Sequence, residues 1–466
     1  MRIVFVASEA VPFAKTGGLA DVCGALPLAL ERLGHEVSVI MPGYRGVGRA
    51  KPFNARANFT VIGRDVKVYF LRHDGFFGRS RLYGDARGDY PDNLERFVFL
   101  CRETFHLLKD IGKPVDIIHC HDWQTGLVPV LLKEQYRQDP FFQNTRSVFT
   151  AHNMAYQGVF SKDDFPKLGV DPGTFSPAGL EFYGKINLLK AGLIFADRVT
   201  TVSPEYAREI QSKEWGCGLE GVVRERKNSL DGILNGLDYD HWDPATDAFL
   251  DPHYSVKDFQ AKDIHKENLQ NVFHLPVFND IPVFGFVGRL CYQKGFDLLE
   301  AAFDGLMQRP LQVVFIGIGD EKYQRMLMKL ARKYPQQCAS VISYDEDVAH
   351  KVYAGSDFFL MPSVYEPCGL TQMIGLRYGA IPLVNGVGGL LDTVVDYGSR
   401  KKQGNGFVME NYSVSALLGA VDRALGIYHQ KGRWDELRAR GMACRWTWDV
   451  SARQYSEVYR LCSGSA

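Results

Sequence analysis

The chain has 466 residues, 46% of them hydrophobic and 23% charged, a balance that excludes intrinsic disorder and predicts two or three folded domains of about 150 residues each. Lys plus Arg total 54 and so do Asp plus Glu, so no global field recruits nucleic acid or an anionic membrane, and an anionic ligand must be held by a local cluster. Nine scattered cysteines without a C-x-x-C pair point to a reducing compartment and away from a structural zinc site. No apolar run reaches the roughly 18 residues of a membrane span, and the start of the chain becomes charged too soon for a signal peptide, so a cytoplasmic location is expected.

In chain order, short apolar or β-branched runs alternate with amphipathic helices. Residues 3–7 read as a buried strand with polar flanks. Beyond a glycine-containing loop, Leu19, Val22, Leu26, Leu30 and Leu33 recur at three- and four-residue steps, one face of a helix that Gly34 ends. Residues 37–41 form the next strand, and the same grammar returns at 115–118, 147–150 and 198–202. Such alternation predicts parallel sheets with helices on both faces. It lapses over residues 240–262, where His241-Trp242-Asp243-Pro244-Ala245-Thr246-Asp247 reads as a polar connector. It restarts at 283–287, 311–316, 358–361 and 381–384. Two doubly wound domains of about 200 residues are therefore expected, dividing within residues 240–280. Open parallel sheets bind ligands at the carboxyl ends of their strands, which places the chemistry in a cleft that both domains face.

The string Lys15-Thr16-Gly17-Gly18-Leu19-Ala20-Asp21 enters the first helix. Its glycines let backbone N–H groups approach a phosphate, with Lys15 and the helix dipole adding positive charge. An ordinary strand-to-helix turn fits equally well, because the string is neither G-x-G-x-x-G nor a P-loop. His119-Cys120-His121-Asp122-Trp123 follows the run at 115–118. A His-x-His pair suits a metal, but no further ligands at metal-site spacing accompany it, and at a strand end the two rings can face opposite ways. Asp122 and Trp123 suit a sugar better, as hydroxyl acceptor and apolar ring face; a capped turn over a core tryptophan is the equal alternative. His152 and Asn153 end another strand and reach the same rim, although a lone histidine is often structural.

The segment Gly288-Arg289-Leu290-Cys291-Tyr292-Gln293-Lys294-Gly295 is more specific. Its two cations stand five residues apart, between the run at 283–287 and a helix bearing Phe296, Leu299 and Phe303, and suit a diphosphate. Cations at a helix start oppose its dipole, a conflict that a bound anion resolves; two solvated surface cations are the alternative. Tyr365-Glu366-Pro367-Cys368-Gly369-Leu370-Thr371 follows the run at 358–361. There Glu366 suits sugar hydroxyls or positive charge at a sugar carbon, with helix capping as the alternative and, for Cys368, packing. Gly386-Val387-Gly388-Gly389 is a second backbone cradle or a structural turn.

Together these segments resemble the bacterial glycogen synthase and plant starch synthase family, transferases that use a nucleotide-activated glucose. The resemblance rests on Lys15-Thr16-Gly17-Gly18-Leu19-Ala20-Asp21-Val22, His121-Asp122-Trp123, His152-Asn153, Asn235-Gly236, Arg289 with Lys294, Glu366-Pro367-Cys368-Gly369-Leu370 and Trp446-Thr447-Trp448, in family order across nearly the whole chain. It implies an α/β protein of the GT-B fold, two Rossmann-like doubly wound domains facing a cleft. Residues 1–240 would form the acceptor-side domain, joined by a crossing helix at about 446–466, and residues 241–445 the nucleotide-sugar domain. It implies transfer from ADP-glucose to the non-reducing end of glycogen or another α-1,4-glucan, with retention at the anomeric carbon and with neither metal nor cofactor. By the same resemblance Lys15, Arg289 and Lys294 contact the diphosphate, helped by N–H groups near Gly18 and Gly388, and Lys266 lies near the donor. Asp122, His152, Asn153, Asn235 and Glu366 surround the transferred glucose with Cys368 close by, Tyr344 lies near the adenine, and Asp21 and Gly369 belong to the substrate contacts.

Retaining hydrolases place two carboxylates about 5 Å apart, one of them as nucleophile. This chain offers one strong carboxylate candidate, Glu366, which favours same-face attack by the acceptor hydroxyl with the leaving phosphate oxygen taking its proton. The chain departs from the family pattern at Val387, where threonine is expected, and at Asn385-Gly386, which replaces a frequently basic pair. Gly288 and Cys291-Tyr292 look more like the wider family of retaining sugar transferases. The alternative is therefore a related transferase using UDP-glucose or a short oligosaccharide acceptor. A nucleotide-sugar epimerase is disfavoured by His121-Asp122-Trp123, and a non-catalytic glucan-binding protein by the presence of Lys15, Arg289, Lys294 and Glu366 together.

Overall fold

The computed structural model describes residues 1–47, 50–85, 87–398 and 404–464. The chain forms two compact units, one of Met1–Gly236 with Trp448–Ala466 and the other of Leu237–Thr447. Among the described residues no helix is long and apolar enough to cross a membrane.

The first unit is built on a nine-stranded sheet. Its strands are β1 (Arg2–Val6), β2 (Glu36–Pro42), β3 (Lys51–Pro52), β4 (Ala57–Ile62), β5 (Val66–Leu71), β6 (Ile117–His121), β7 (Arg146–Ala151), β8 (Arg198–Thr201) and β9 (Leu230–Gly232). In space they run β9-β8-β7-β6-β1-β2-β5-β4-β3, parallel from β9 to β5, with β4 and β3 forming an antiparallel edge. The central strands are buried on both faces, which is why β1 carries Ile3, Val4, Phe5 and Val6 in unbroken succession.

Helix α1 (Gly18–Arg32) follows β1 and buries Leu19, Val22, Leu26 and Leu30 against the sheet. Leu33, expected on that face, is 38% exposed because the helix stops at Arg32 and Gly34 turns the chain at φ 89°. The unit is closed by the last helix of the chain, the sixteen-residue Trp448–Ser463. A helix of that length is marginal alone, and here Trp448, Ala452, Tyr455, Val458 and Tyr459 join the same core as Ile3, Phe5 and Leu26. Each large side chain so buried contributes about 1.5–3 kcal/mol. Gly236 admits the helix, because a Cβ there would stand 2.5 Å from the Trp448 backbone nitrogen.

The second unit has a six-stranded sheet. Its strands are β10 (Val283–Val287), β11 (Gln312–Ile316), β12 (Cys338–Val341), β13 (Phe358–Met361), β14 (Ile381–Asn385) and β15 (Phe407–Met409), in the order β12-β11-β10-β13-β14-β15 and parallel throughout. The helices used below are α2 (Gln260–Val272), α3 (Phe296–Leu306), α4 (Glu346–Gly355) and α5 (Thr371–Arg377). Phe296, Leu299 and Phe303 of α3 are buried in one core with Phe284, Phe315 and Phe358.

Strand order locates the chemistry. In the first unit the chain passes from β1 to β2, out to the edge strand β3 and back through β4 to β5, then crosses to the other side of β1 as β6 and winds away to β9. In the second it winds from β10 to β12, then returns beside β10 as β13 and winds to β15. Such reversals open a crevice at the carboxyl ends of the strands flanking them, because the loops there diverge to opposite faces. The flanking loops are those after β1 and β6 in the first unit and those after β10 and β13 in the second.

Candidate active site

In the first unit, the loop after β1 is held by Glu9, a residue that the sequence reading passed over. Its buried carboxylate accepts hydrogen bonds from the Thr16 backbone N–H, from Thr16 Oγ1 at 2.6 Å and from the Tyr83 hydroxyl at 2.5 Å. Glu9 thereby fixes the turn into α1. A Cβ at Gly17 or Gly18 would meet nothing within 4 Å, and no side chain caps the first turn of α1; Ala20 N–H bonds the Gly17 carbonyl, which leaves the N–H groups of Gly18 and Leu19 for an anion. Lys15 Nζ lies 2.7 Å from Asp21 Oδ1, and the lysine side chain is 42% exposed.

The loop after β6 starts at Asp122, whose φ of 57° and ψ of −178° fall in a region essentially confined to glycine, at a cost of about 1–3 kcal/mol. The strained backbone turns the carboxylate onto the neighbouring strand end, where Oδ1 accepts the His152 backbone N–H at 2.6 Å. Burial, with a smaller contribution from Glu9, pushes the Asp122 carboxyl up to about 8. The His152 ring stands beside it, with Nε2 3.0 Å from His121 Nδ1. Burial holds the His152 imidazole down to about 3 and His121 well below its usual value, so both rings are neutral near pH 7. Asn235, after β9, is buried with its side-chain oxygen unpartnered, and the Asn153 side chain accepts the Ala155 N–H at 3.0 Å.

Two expectations about this region need correction. His119 and His121 share a face, their rings 4.2 Å apart. Strand β6 runs on to His121, so residues two apart point the same way. His119 is no metal ligand, because its two ring nitrogens are hydrogen-bonded to the Tyr459 hydroxyl at 2.8 Å and Thr150 Oγ1 at 2.6 Å. The Trp123 indole packs edge-on against Phe97, and a Cβ at Gly158 would stand 2.3 Å from its ring, so the ring is largely occupied within the fold.

These buried neutral histidines set an acid limit on stability. Burial lowers the pKa of His119, His121 and His152, so between their folded values and about 6.5 the unfolded chain binds more protons, and stability falls as pH drops. Asp122, raised to about 8, acts oppositely but supplies one proton against three. Replacing His119 with glutamine is expected to flatten the dependence near pH 5 by about 1.4 kcal/mol per pH unit, measured by urea unfolding at pH 5 and 7. An unchanged slope would contradict the neutral assignment.

In the second unit, the loops after β10 and β13 bring the expected cation and carboxylate into contact. Lys294 Nζ lies 2.6 Å from Glu366 Oε2, with side-chain exposures of 17% and 7%. Ser363 Oγ donates to the same carboxylate oxygen at 3.0 Å. Arg289 reaches the Gln293 side-chain oxygen at 3.2 Å, and Gln293 Nε2 donates to the Tyr365 carbonyl at 3.3 Å. The two loops are locked at Gly295, whose φ is 78° and where a Cβ would stand 1.9 Å from the Pro362 carbonyl oxygen. Gly295→Ala is therefore expected to cost at least about 2 kcal/mol and to lower turnover by displacing Lys294. Unchanged thermal unfolding would show that the lock is dispensable.

The loop after β14 is threaded onto the same backbone. Gly388 has φ 46°, Gly389 N–H donates to the Glu366 carbonyl at 3.0 Å, and a Cβ at Gly389 would stand 2.1 Å from the Cys368 carbonyl oxygen. Cys368 is buried, and Gly369 turns the chain into α5 at φ 74°. Asn385, one of the departures from the family pattern, is buried and donates to the Ser363 carbonyl at 2.9 Å, so it braces the Glu366 loop. Tyr344, after β12, is 77% exposed.

Lys266 does not belong to this group. It projects from α2 into a buried ion pair with Asp357 at 2.9 Å, and also donates to the Asn279 carbonyl at 3.1 Å and the Tyr428 hydroxyl at 2.7 Å. These partners use all three ammonium protons. Asp357 directly precedes β13 and accepts the Val283 N–H at the start of β10, so the pair sits at the amino ends of the strands, opposite the candidate site.

The starch synthase catalytic domain family matches residues 2–225, and the group 1 glycosyl transferases match residues 270–437. A glycogen synthase of Geotalea uraniireducens is 47% identical to this chain, with 99% of each sequence covered. A second relative, glycogen synthase 2 of Geobacter sulfurreducens, is 41% identical over 99% of each. The catalytic domain of starch synthase IV from Arabidopsis thaliana, solved bound to ADP and acarbose, superposes with a TM-score of 0.91 at 33% identity, covering 99% of each chain. The sucrose-phosphate synthase of Thermosynechococcus elongatus, at 18% identity and TM-score 0.64, shares the fold. The chain belongs to the glycogen synthase and starch synthase family, and is a glycosyltransferase of the GT-B fold that uses a nucleotide-sugar donor and a glucan acceptor.

Proposed function

We propose that this enzyme transfers glucose from ADP-glucose to the non-reducing end of an α-1,4-glucan, retaining the anomeric configuration. The observation that carries this reading is the contact between Lys294 and Glu366 at the strand reversal of the second unit. It joins a cation suited to a diphosphate and a carboxylate suited to the sugar within 2.6 Å, the adjacency that a sugar-phosphate bond requires.

As that bond breaks, negative charge grows on the departing diphosphate and the anomeric carbon turns cationic. Arg289 and Lys294, with backbone N–H groups near Gly388, meet the first charge; Lys15 and the open amino end of α1 offer the same chemistry on the first unit. Glu366 meets the second charge. His152, neutral and fixed by Asp122, is a hydrogen-bonding partner for sugar hydroxyls, as are Asn153 and Asn235. With Glu366 as the single carboxylate in its loop, the acceptor oxygen attacks from the face that the diphosphate leaves, and its proton passes to the departing phosphate oxygen. The adenine reading is supported by the exposed ring of Tyr344 at the carboxyl end of β12, which leaves a face for a base, and by the ADP bound to the Arabidopsis relative. A cytoplasmic site of action is supported by nine cysteines that are all unpaired.

Product analysis tests the stereochemistry. Glucan extended with labelled glucose is expected to be fully released by an α-1,4-specific exo-amylase, and label that resists digestion would refute α-1,4 transfer with retention.

A further inference from the structure

We propose that His241, Glu346 and His350 form a binding site for one divalent transition-metal ion of the zinc type, outside the loops that carry the transfer chemistry. Glu346 and His350 stand one helical turn apart on α4, a spacing that puts both on one face. His241 comes from the connector that opens the second unit. One ring nitrogen of each histidine and a Glu346 carboxylate oxygen lie within 4.8 Å of one another. His241 Nε2 and Glu346 Oε1 are 3.2 Å apart, close to the edge of about 3.3 Å that a tetrahedron with metal bonds of 2.0–2.1 Å requires.

The second, independent observation is the state of His350. This ring is fully buried, stacked 4.2 Å from Trp242 with their planes 11° apart, and 4.4 Å from Phe249. Its Nδ1 lies 2.6 Å from Asp247 Oδ2, an oxygen that also accepts the Tyr378 hydroxyl. Its Nε2 is buried without a hydrogen-bond partner. A carboxylate on one ring nitrogen places the proton there and leaves the lone pair on the other, the arrangement that orients metal-bound histidines. The ion pair of His241 with Glu346 does not account for this, because a pair with side chains 43% and 52% exposed gains little and leaves Nε2 of His350 unsatisfied. Two imidazoles and one carboxylate suit Zn²⁺, Co²⁺ or Ni²⁺ rather than Mg²⁺ or Ca²⁺. With three protein ligands, the remaining position goes to water.

Such an ion clips the connector to the start of α4. The preceding loop carries Tyr344, two residues before Glu346, so the clip also restrains the backbone next to that ring. The role is structural, since none of its ligands lies in the loops after β10, β13 or β14.

The test uses full-length protein stripped with chelator and titrated with Co²⁺. The wild type is expected to bind one equivalent at micromolar concentration, with the visible absorption of four-coordinate cobalt, displaceable by Zn²⁺. Zn²⁺ is expected to raise Tm by about 3 °C or more. His241→Ala, at a half-exposed position that leaves the Asp247–His350 packing in place, is expected to weaken binding at least tenfold and remove the Tm shift, and Glu346→Gln to act likewise. Cobalt bands of equal strength and affinity in His241→Ala would overturn the site, as would their absence from the wild type at 100 µM Co²⁺, taken as about a hundred times the expected Kd. Neither readout depends on glucosyl transfer, so a failure here leaves the proposed function standing.

Discussion

Glu366→Ala is expected to lower kcat about 10²- to 10³-fold while changing the KM for the sugar nucleotide by no more than about threefold. Two opposed effects on donor binding underlie the small KM change. Loss of the carboxylate removes a contact to the sugar, but it also releases Lys294, now ion-paired at 2.6 Å, to interact with the diphosphate undivided. In the transition state that compensation fails, because the anomeric carbon has gained positive charge and faces a site left with two cations and no carboxylate. An interaction that strengthens along the reaction coordinate lowers kcat when removed, whereas one of uniform strength changes KM. The variant is also expected to be less stable, since Lys294 becomes a largely buried, unpaired ammonium. ADP at saturation is expected to recover most of that loss by supplying the missing anion. Near-normal turnover would remove Glu366 from the mechanism, and a large rise in KM at constant kcat would reassign it to ground-state binding.

Lys294→Ala is expected to do the reverse with the donor. It deletes a cation from the diphosphate and leaves Glu366, 7% exposed in its side chain, as an unpaired carboxylate where a polyanion must bind. Donor affinity and turnover should fall together, with kcat/KM reduced about 10³-fold or more, read by initial rates over a range of donor concentrations. Arg289 does not make good the loss, because it already serves the diphosphate and brings no charge beyond its own. An unchanged dependence on donor would show that Lys294 does not contact the diphosphate.

Much of this fold was legible because parallel strands covered on both faces read as uninterrupted apolar runs: the runs at 283–287 and 358–361 are β10 and β13 residue for residue. The antiparallel edge was not legible. In β4, Phe59 and Thr60 are half-buried and Val61 exposed, so no clean period marks it, and the strand pair Val159–Ser161 and Lys185–Asn187 is too brief, at three residues each, to carry a period.

At the site, the strings ending in Asp122, His152, Lys294 and Glu366 were visible because strand ends and glycine turns are local features. What failed was non-local. Reading β6 as ending at residue 118 separated histidines that the strand holds on one face. Glu9 gave only a weak signal, a carboxylate just past a buried strand, since its partners Thr16 and Tyr83 depend on how the loops return. Lys266 matched a family motif, yet its partner Asp357 lies 91 positions further on, and no local pattern reveals that the pair sits at the amino ends of the strands. The His241–Glu346–His350 group spans 109 positions for the same reason.

Nucleoside diphosphate release from ADP-glucose and from UDP-glucose, each measured with and without glycogen, separates the possible donors and acceptors in one experiment. Rapid release is expected from ADP-glucose only when glycogen is present, and little from UDP-glucose. A clear preference for UDP-glucose would contradict the adenine assignment and favour a related transferase shaped by Asn385 and Val387. Silence with both donors, in protein shown to be folded, would contradict transfer from either.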